Sequence, residues 1–265
     1  MNQNTEAEGL MRLAYESAMA AAREAGAYLI TKQRHVQVLY KKALRDDLLD
    51  ADLEAEAIIL NILRLSFPTF DIFSEEAEEE NGKTQCQWIV DPLDGSANFQ
   101  HGSPLFAISI SLIVNKTSVL GIVYLPALNE MFTAIHGRGA ALNGHTIHVS
   151  RTSLLNEAIV HMGDFAKNGN VDANRHRTAT ITRLANEVGR VRMIGTAATD
   201  LAYLACGRAD ALIMYSNHPW DVEAGSLILE EAGGTGSILG GAKAMFIYSN
   251  GHIHHQLIER LARSE

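Results

Sequence analysis

The sequence predicts an α+β / α/β fold, and three observations carry that prediction. Apolar residues recur at helical spacing over 9–33, strand-like apolar runs follow over 88–135, and after about Ser150 helices alternate with short strands. The change of pattern divides the chain into an N-terminal half, 1–150, and a C-terminal half, 151–265, with a cleft expected between them. A chain of 265 residues suits one compact unit or two closely packed halves.

Over 9–33, Leu10, Leu13, Ala14, Ala18, Ala21, Ala25, Tyr28 and Leu29 line up on a helix. A second helix is expected over 53–65, ending before Phe67-Pro68 because the residue preceding a proline is pushed out of helical geometry. Phe70, Ile72 and Phe73 then read as a strand end delivering Ser74-Glu75-Glu76, and Glu78, Glu79 and Glu80 as a solvated acidic run. Strands are expected over 88–90, 106–114, 119–125 and 131–135. Ile108, Ile110, Leu112 and Val114 alternate, as on a strand with one buried face, whereas the continuously apolar 120–124 suits a central strand. Gly137-Arg138-Gly139 and Asn143-Gly144 point to a hairpin. The second half should hold helices over 177–188, 198–206, 222–232 and 256–262 and strands over 158–161, 192–194, 211–214 and 245–248. Gly233-Gly234-Thr235-Gly236 lacks the Lys-Ser/Thr of a phosphate-binding P-loop and reads as a helix C-cap and tight turn.

Composition narrows the function classes. A formal charge of −9 argues against a nucleic-acid-binding surface. No apolar run is long enough to span a membrane, and the polar, slightly acidic 1–6 is unlike a signal peptide. Cys86 and Cys206 show no metal or redox spacing, which fits a reducing compartment, so a cytoplasmic location is expected. His252, His254 and His255 sit beside a polar helix near the C-terminus, and a catalytic metal site needs ligands converging from a rigid scaffold instead.

The most informative stretch is Trp88-Ile89-Val90-Asp91-Pro92-Leu93-Asp94-Gly95-Ser96. A buried strand ends there, and two carboxylates leave its tip together. Clustered carboxylates in an apolar setting need a partner, and a hard divalent cation with oxygen ligands, usually magnesium, supplies one. Aspartate is also ordinary turn and cap punctuation, so the surrounding acids matter. Glu75 lies upstream at a strand end, and Asp221 follows His218-Pro219-Trp220 before an amphipathic helix, giving four acids at element junctions. Asp221 doubles as a candidate helix N-cap, and His218 reads as a packing or hydrogen-bonding residue. Gly95 and Ser96 open a helix whose free N–H groups suit a phosphate, and glycine lets the backbone approach the anion.

The run WIVDPLDGSANFQH, with Ser74-Glu75-Glu76 before it and HPWDVEAG after it, resembles the inositol monophosphatase family of magnesium-dependent, lithium-sensitive phosphatases. The resemblance covers the chain from the helix around Asp52 to Gly234. It implies a layered αβαβα sandwich of the sugar-phosphatase type with its active site between the two halves. It further implies two or three magnesium ions, the first held by Glu75, Asp91 and the carbonyl of Leu93, the second by Asp91, Asp94 and Asp221. Two such ions clamp the attacking and leaving oxygens of an in-line displacement, and Asp91 is the natural bridge. Ser96 would orient or deprotonate the attacking water, and a serine needs a carboxylate behind it. Asp52 falls where the family keeps that acid, though an N-cap for the following helix explains it equally. Glu75, Ser96 and Asp52 thus form the implied catalytic set. A homodimer is implied as well.

Substrate contacts are implied at Gly95, Ser96, Gly195, Thr196, Ala197 and Asp164. Glu223 departs from the second motif, where a small residue is usual; it either alters charge beside the metals or points away. Met214 stands where inositol-preferring members carry a glutamate, and a thioether is a poor partner for a sugar hydroxyl. The expected activity is hydrolysis of a small phosphate monoester, inositol monophosphate-like or another polyol or sugar phosphate. Histidinol phosphate, fructose 1,6-bisphosphate and adenosine 3′,5′-bisphosphate are the alternatives, with a non-catalytic regulatory member of the fold as the reading from another class. No basic cluster flanks Gly195 or Asn217 in the sequence, which argues against highly charged substrates.

Overall fold

The computed structural model describes residues 3–77, 84–240 and 244–262; the acidic residues Glu78, Glu79 and Glu80 lie outside them. The first helix, α1 (Gln3–Lys32), buries Ala14, Ala18, Ala21, Ala22 and Ala25 completely, and this small-residue face lets it lie close against α2 (Asp50–Ser66). Between them stands an antiparallel hairpin of β1 (Val38–Ala43) and β2 (Asp46–Leu49). The sequence hides it, because Val38, Leu39, Tyr40 and Leu44 remain exposed and leave no alternating pattern to read.

A seven-stranded sheet follows, built from β3 (Asp71–Ser74), β4 (Cys86–Asp94), β5 (Ala107–Val114), β6 (Thr117–Leu125), β7 (Glu130–Ile135), β8 (Ala140–Leu142) and β9 (His145–Thr146). The short helix α3 (Ser96–Gln100) links β4 to β5. Strand order equals chain order; β3 and β4 are parallel and the others antiparallel. The glycine-bearing turns at 137–139 and 143–144 join β7, β8 and β9, as the sequence indicates.

The second sheet has the order β11-β10-β12-β14-β13, with β10 (Ile159–Met162), β11 (Arg190–Arg192), β12 (Ala211–Met214), β13 (Thr235–Leu239) and β14 (Met245–Ser249). Its helices are α4 (Val171–Leu184), α5 (Ala197–Ala205), α6 (Pro219–Glu231) and α7 (His254–Ala262). Helix α4 starts earlier than periodicity suggests, because Asn170 caps it by accepting from Ala173 N–H at 3.0 Å. Gly233 has φ +94°, and Gly233 and Gly234 donate back to Glu230 and Leu229, so the glycine run does cap α6. The strand β13 that follows went unread because its glycine and serine carry little strand propensity.

Three apolar clusters define the layers. Ala18, Leu29, Ile59 and Leu63 of α1 and α2 pack on Val90, Ile108, Ile110 and Ile122 of the first sheet. The opposite face, through Val123 and Phe132, meets Leu201 and Ile228 of α5 and α6, which meet Leu212 and Met214 of the second sheet. Val160, Ile213 and Ile247 on the far face of that sheet pack on Leu184 of α4 and on Leu257 and Leu261 of α7. The result is the layered αβαβα sandwich. Strand β5 differs from the one-sided expectation: Ala107, Ser109 and Ser111, between the isoleucines, are buried too, because α6 covers that face. Gly121 permits this close approach, since a Cβ there would sit 2.7 Å from the Ala224 carbonyl oxygen.

Candidate active site

Side chains three apart on a regular strand point to opposite faces. Asp91 and Asp94 nevertheless converge, because β4 does not end at Val90 but continues through Asp94 with an irregularity. Asp91 pairs with Ser109 and Asp94 with Ala107, so β4 carries one residue more than β5 across this interval. Such a bulge re-aims the side chains that flank it. Leu93 N–H donates to Asp91 Oδ1 at 2.9 Å and holds the turn of the chain.

The third acid arrives from the other half. At the start of α6, His218 stacks on Trp220 at 4.9 Å, and Trp220 meets Phe73 of β3 edge-on at 5.2 Å. Ser109 Oγ donates to the Trp220 carbonyl at 3.1 Å. These contacts fix the first turn of α6 and bring one carboxylate oxygen each of Asp91, Asp94 and Asp221 within 4.8 Å of one another. His218 therefore packs, as expected. Asp221 lies inside the first turn of α6, so His218, not Asp221, occupies the N-cap position.

Electrostatics report crowding. Asp91 is 1% exposed, and burial first, then the charges of Glu75, Asp94 and Asp221, push its carboxyl well above the usual carboxylate range. Burial likewise raises Asp94 and Asp221 to about 7, with Asp221 adding to the first and Glu75 to the second. Glu75 is also raised by burial to about 7, although the Lys42 ammonium opposes the shift. Lys42 lies 3.7 Å from Glu75 and 2.5 Å from Glu76. Glu75 faces the acids electrostatically but stays outside the tight group of three. Close-set carboxylate oxygens that repel one another are a hard donor set, and they fit a divalent cation such as magnesium.

Asp94 is also tied to α5. Its Oδ2 accepts from Thr196 Oγ1 at 2.5 Å and from Ala198 N–H at 2.7 Å. Thr196 is the N-cap of α5, so the Gly195-Thr196-Ala197 segment is held at the metal-type cluster. Gly95, with φ +91°, leads into α3 beside it; a Cβ on Gly95 would lie 3.2 Å from Thr196 Cβ and 3.1 Å from the Leu105 carbonyl. Asn98 Nδ2 joins the same region by donating to the carbonyls of Leu105 and Ile194 at 2.8 and 2.6 Å.

Asp52 is not the N-cap of α2. It occupies the third position of the helix, where its Oδ2 accepts from Leu49 N–H at 2.7 Å. Burial raises its carboxyl to about 8, with Glu76 and Glu75 adding to the shift. Among the described residues no hydrogen bond joins Asp52 to Ser96, which opens α3 half-buried. Glu223 points away from the acids: its Oε2 accepts from Ser118 Oγ at 2.6 Å. The histidines near the C-terminus do not converge, because His254 is held between Ser237 and Ser249 while His255 projects towards Glu259.

A cleft of about 120 Å³ adjoins the cluster, lined by Asp94 and Asp221, by Gly195, Thr196 and Ala197, and by Asp164, Lys167, Arg177 and Tyr215; the Lys167 charge acts on Asp221 and Glu75. Asp164 thus lies in the cleft wall. The basic side chains correct the expectation of a site without them. Lys167 and Arg177 are distant from Gly195 and Asn217 in sequence, and only folding gathers them. Lys42 and Asn98 escaped notice as well; Asn98 lies inside the first motif, whereas nothing in the sequence marks Lys42.

The model of the inositol monophosphatase family matches residues 10–264. A fructose-1,6-bisphosphatase/inositol-1-monophosphatase of Thermotoga maritima is 37% identical over 83% of this chain and 84% of its own. The Nus factor SuhB of Escherichia coli K12 is 38% identical over 82% of each chain. The crystal structure of the extragenic suppressor protein suhB of Bartonella henselae superposes with a TM-score of 0.89 at 35% identity, over 95% of this chain and 99% of that one. From its layers, its two acidic motifs and these matches, the chain belongs to the inositol monophosphatase family.

Proposed function

We propose that this chain hydrolyses small phosphate monoesters with magnesium as cofactor, releasing inorganic phosphate. The observation that carries the reading is the convergence of Asp91, Asp94 and Asp221 from two halves of the chain beside an open cleft. Asp91, Asp94 and Asp221, with Glu75 and the Leu93 carbonyl, would hold two or three ions. Bound there, magnesium supplies the charge that activates water and neutralises a departing alkoxide.

The chain's own residues do the rest. The bulge at 91–94 aims two carboxylates into one space, and the Asp94–Thr196 bond keeps the start of α5 at the same place. Gly95 and Ser96, opening α3, and Gly195, Thr196 and Ala197, around the start of α5, offer backbone groups to the phosphate oxygens. Ser96 Oγ orients the attacking water and receives its proton with Asp52 as the acid behind it. Burial raises Asp52 to about 8, so it can accept this proton only in its ionised form, which gains population as pH rises through that value. Asp164 contacts the alcohol portion.

Phosphate release from inositol 1-phosphate, fructose 1,6-bisphosphate, histidinol phosphate and adenosine 3′,5′-bisphosphate, with magnesium and with chelator, tests this. Turnover that chelator abolishes supports it; turnover unaffected by chelator overturns the metal reading. Hydrolysis in labelled water should place the label in inorganic phosphate, and label in the alcohol contradicts the mechanism. Homodimerisation, lithium inhibition and a cytoplasmic location belong to the same proposal and are checked by sedimentation, inhibitor titration and fractionation. A regulatory role is the second reading, favoured by the Escherichia coli relative being named a Nus factor. The complete acid set opposes a member that has lost its chemistry. A cellular role that survives Asp94→Asn would favour the regulatory reading.

A further inference from the structure

Around Arg177 the cleft is built of unlike parts. Met214, 4% exposed, closes part of its wall with a thioether, a weak acceptor that pairs poorly with hydroxyls. Next to it Tyr215 carries the Arg177 guanidinium over its ring, 5.0 Å from the centroid. The ring itself is fixed, because Tyr215 OH donates to Thr180 Oγ1 at 2.7 Å and His176 meets it edge-on at 5.6 Å. Arg177 Nη1 donates to the Asp164 carbonyl oxygen. Stacked on one side and tethered at one nitrogen, the guanidinium is preorganised.

Its charge, however, is met only through space, by the Asp164 carboxylate. Among the described residues Arg177 makes that one hydrogen bond, to a neutral carbonyl, and no ion pair. Burial pulls its proton affinity down, and the Asp164 carboxylate only partly compensates through space. Arg208 shows the contrast: both its terminal nitrogens sit 2.6 Å from Glu130 carboxylate oxygens. A half-buried guanidinium with unused N–H donors in a cleft is suited to a planar or tetrahedral oxyanion. Lys167, 59% exposed and 3.3 Å from Asp46, lines the same cleft, but its charge is directed at Asp46, Glu75 and Asp221.

We infer that Arg177 receives an anionic group on the alcohol portion of the substrate. The favoured substrates are then phosphate monoesters whose alcohol bears a second phosphate or a carboxylate. The inference rests on the phosphatase reading of the metal-type cluster. An ester carrying two anions matches a cleft lined both by a metal-type cluster and by a guanidinium without an ion pair.

The test compares native protein with R177M and R177K on fructose 1,6-bisphosphate, 3-phosphoglycerate and inositol 1-phosphate. The readout is the ratio of kcat/KM on each doubly anionic ester to that on inositol 1-phosphate. Losing a charge-assisted contact should lower that ratio by roughly 10–100-fold in R177M, mainly through KM. R177K, which keeps the charge but not the fork, should fall between. A fall confined to the bisphosphate assigns the site to phosphate, and one confined to 3-phosphoglycerate assigns it to carboxylate. An equal loss on all three esters, or an unchanged ratio, overturns the inference. If none of the esters is hydrolysed, the phosphatase reading fails first, and the same three compounds are titrated calorimetrically with magnesium. Weaker binding of the doubly anionic pair to R177M alone then sustains the anion site, and equal Kd values in native and variant protein overturn it.

Discussion

Thr196 donates its hydroxyl to Asp94 Oδ2 at 2.5 Å, joining the start of α5 to the strand that carries the first acidic motif. Thr196 is thereby spent on a carboxylate, and it also accepts from Thr199 N–H at 3.3 Å as the cap of its helix. Thr196→Val keeps the shape and removes both bonds. It should cost about 1–3 kcal/mol of stability and lower kcat, read by chemical denaturation and phosphate release. Native kcat in a destabilised variant would show that the bond serves folding alone.

The buried acids are held against their own repulsion. Asp91, deepest of them, is raised by burial and then by Glu75, Asp94 and Asp221. Asp91→Asn should therefore raise the melting temperature of chelator-treated protein while removing activity by several orders of magnitude. A lower melting temperature in chelator would show that Asp91 stabilises the fold without a metal.

The same shifts set a pH dependence. Asp94 and Asp221 are raised to about 7 from 3.8, and Asp52 to about 8 from 3.8, with burial the leading cause. Between those values the folded state holds protons that the unfolded state has released, so stability must fall as pH rises. The metal-free protein should be most stable near pH 4, lose stability up to about pH 8 and then level off. Magnesium should flatten the curve. Thermal melts across pH, with and without chelator, read both; a metal-free profile that rises from pH 5 to 8 contradicts the burial of these groups as acids.

Ser96→Ala should lower kcat by about 10²–10⁴-fold if its hydroxyl lies in the proton path. Since no bond joins Ser96 to Asp52 among the described residues, the pairing must form when substrate and water are present. Unchanged kcat would remove both residues from the path.

Glu223 accepts from Ser118 on the side of α6 away from the acids. Glu223→Gln should therefore leave magnesium dependence and kcat as they are. A shifted magnesium requirement would place its charge at the metals after all.

Much of this was legible beforehand because local chemistry writes it into the chain. The alanine face of α1, the alternation along β5 and the glycine cap of α6 follow from backbone geometry and side-chain size over a few neighbours. The two motifs are likewise local, so Asp91, Asp94 and Asp221 could be named as partners from sequence. The hairpin at 38–49 and the strand β13 were not legible, since exposed and glycine-bearing strands leave no periodic apolar signal.

The layered sandwich, the family and the three acids are written in the order of residues, because burial patterns and a contiguous motif are carried by neighbouring residues. Which way Glu223 points, what Asp52 and Thr196 bond, and the sharing of one cleft by Arg177, Lys167 and Asp221 are settled by packing instead. Those outcomes depend on side chains from separate elements meeting in space. Charges 40 or more positions apart in the chain, such as Lys167 and Asp221, come to act on each other only when the segments that carry them are packed onto their sheets.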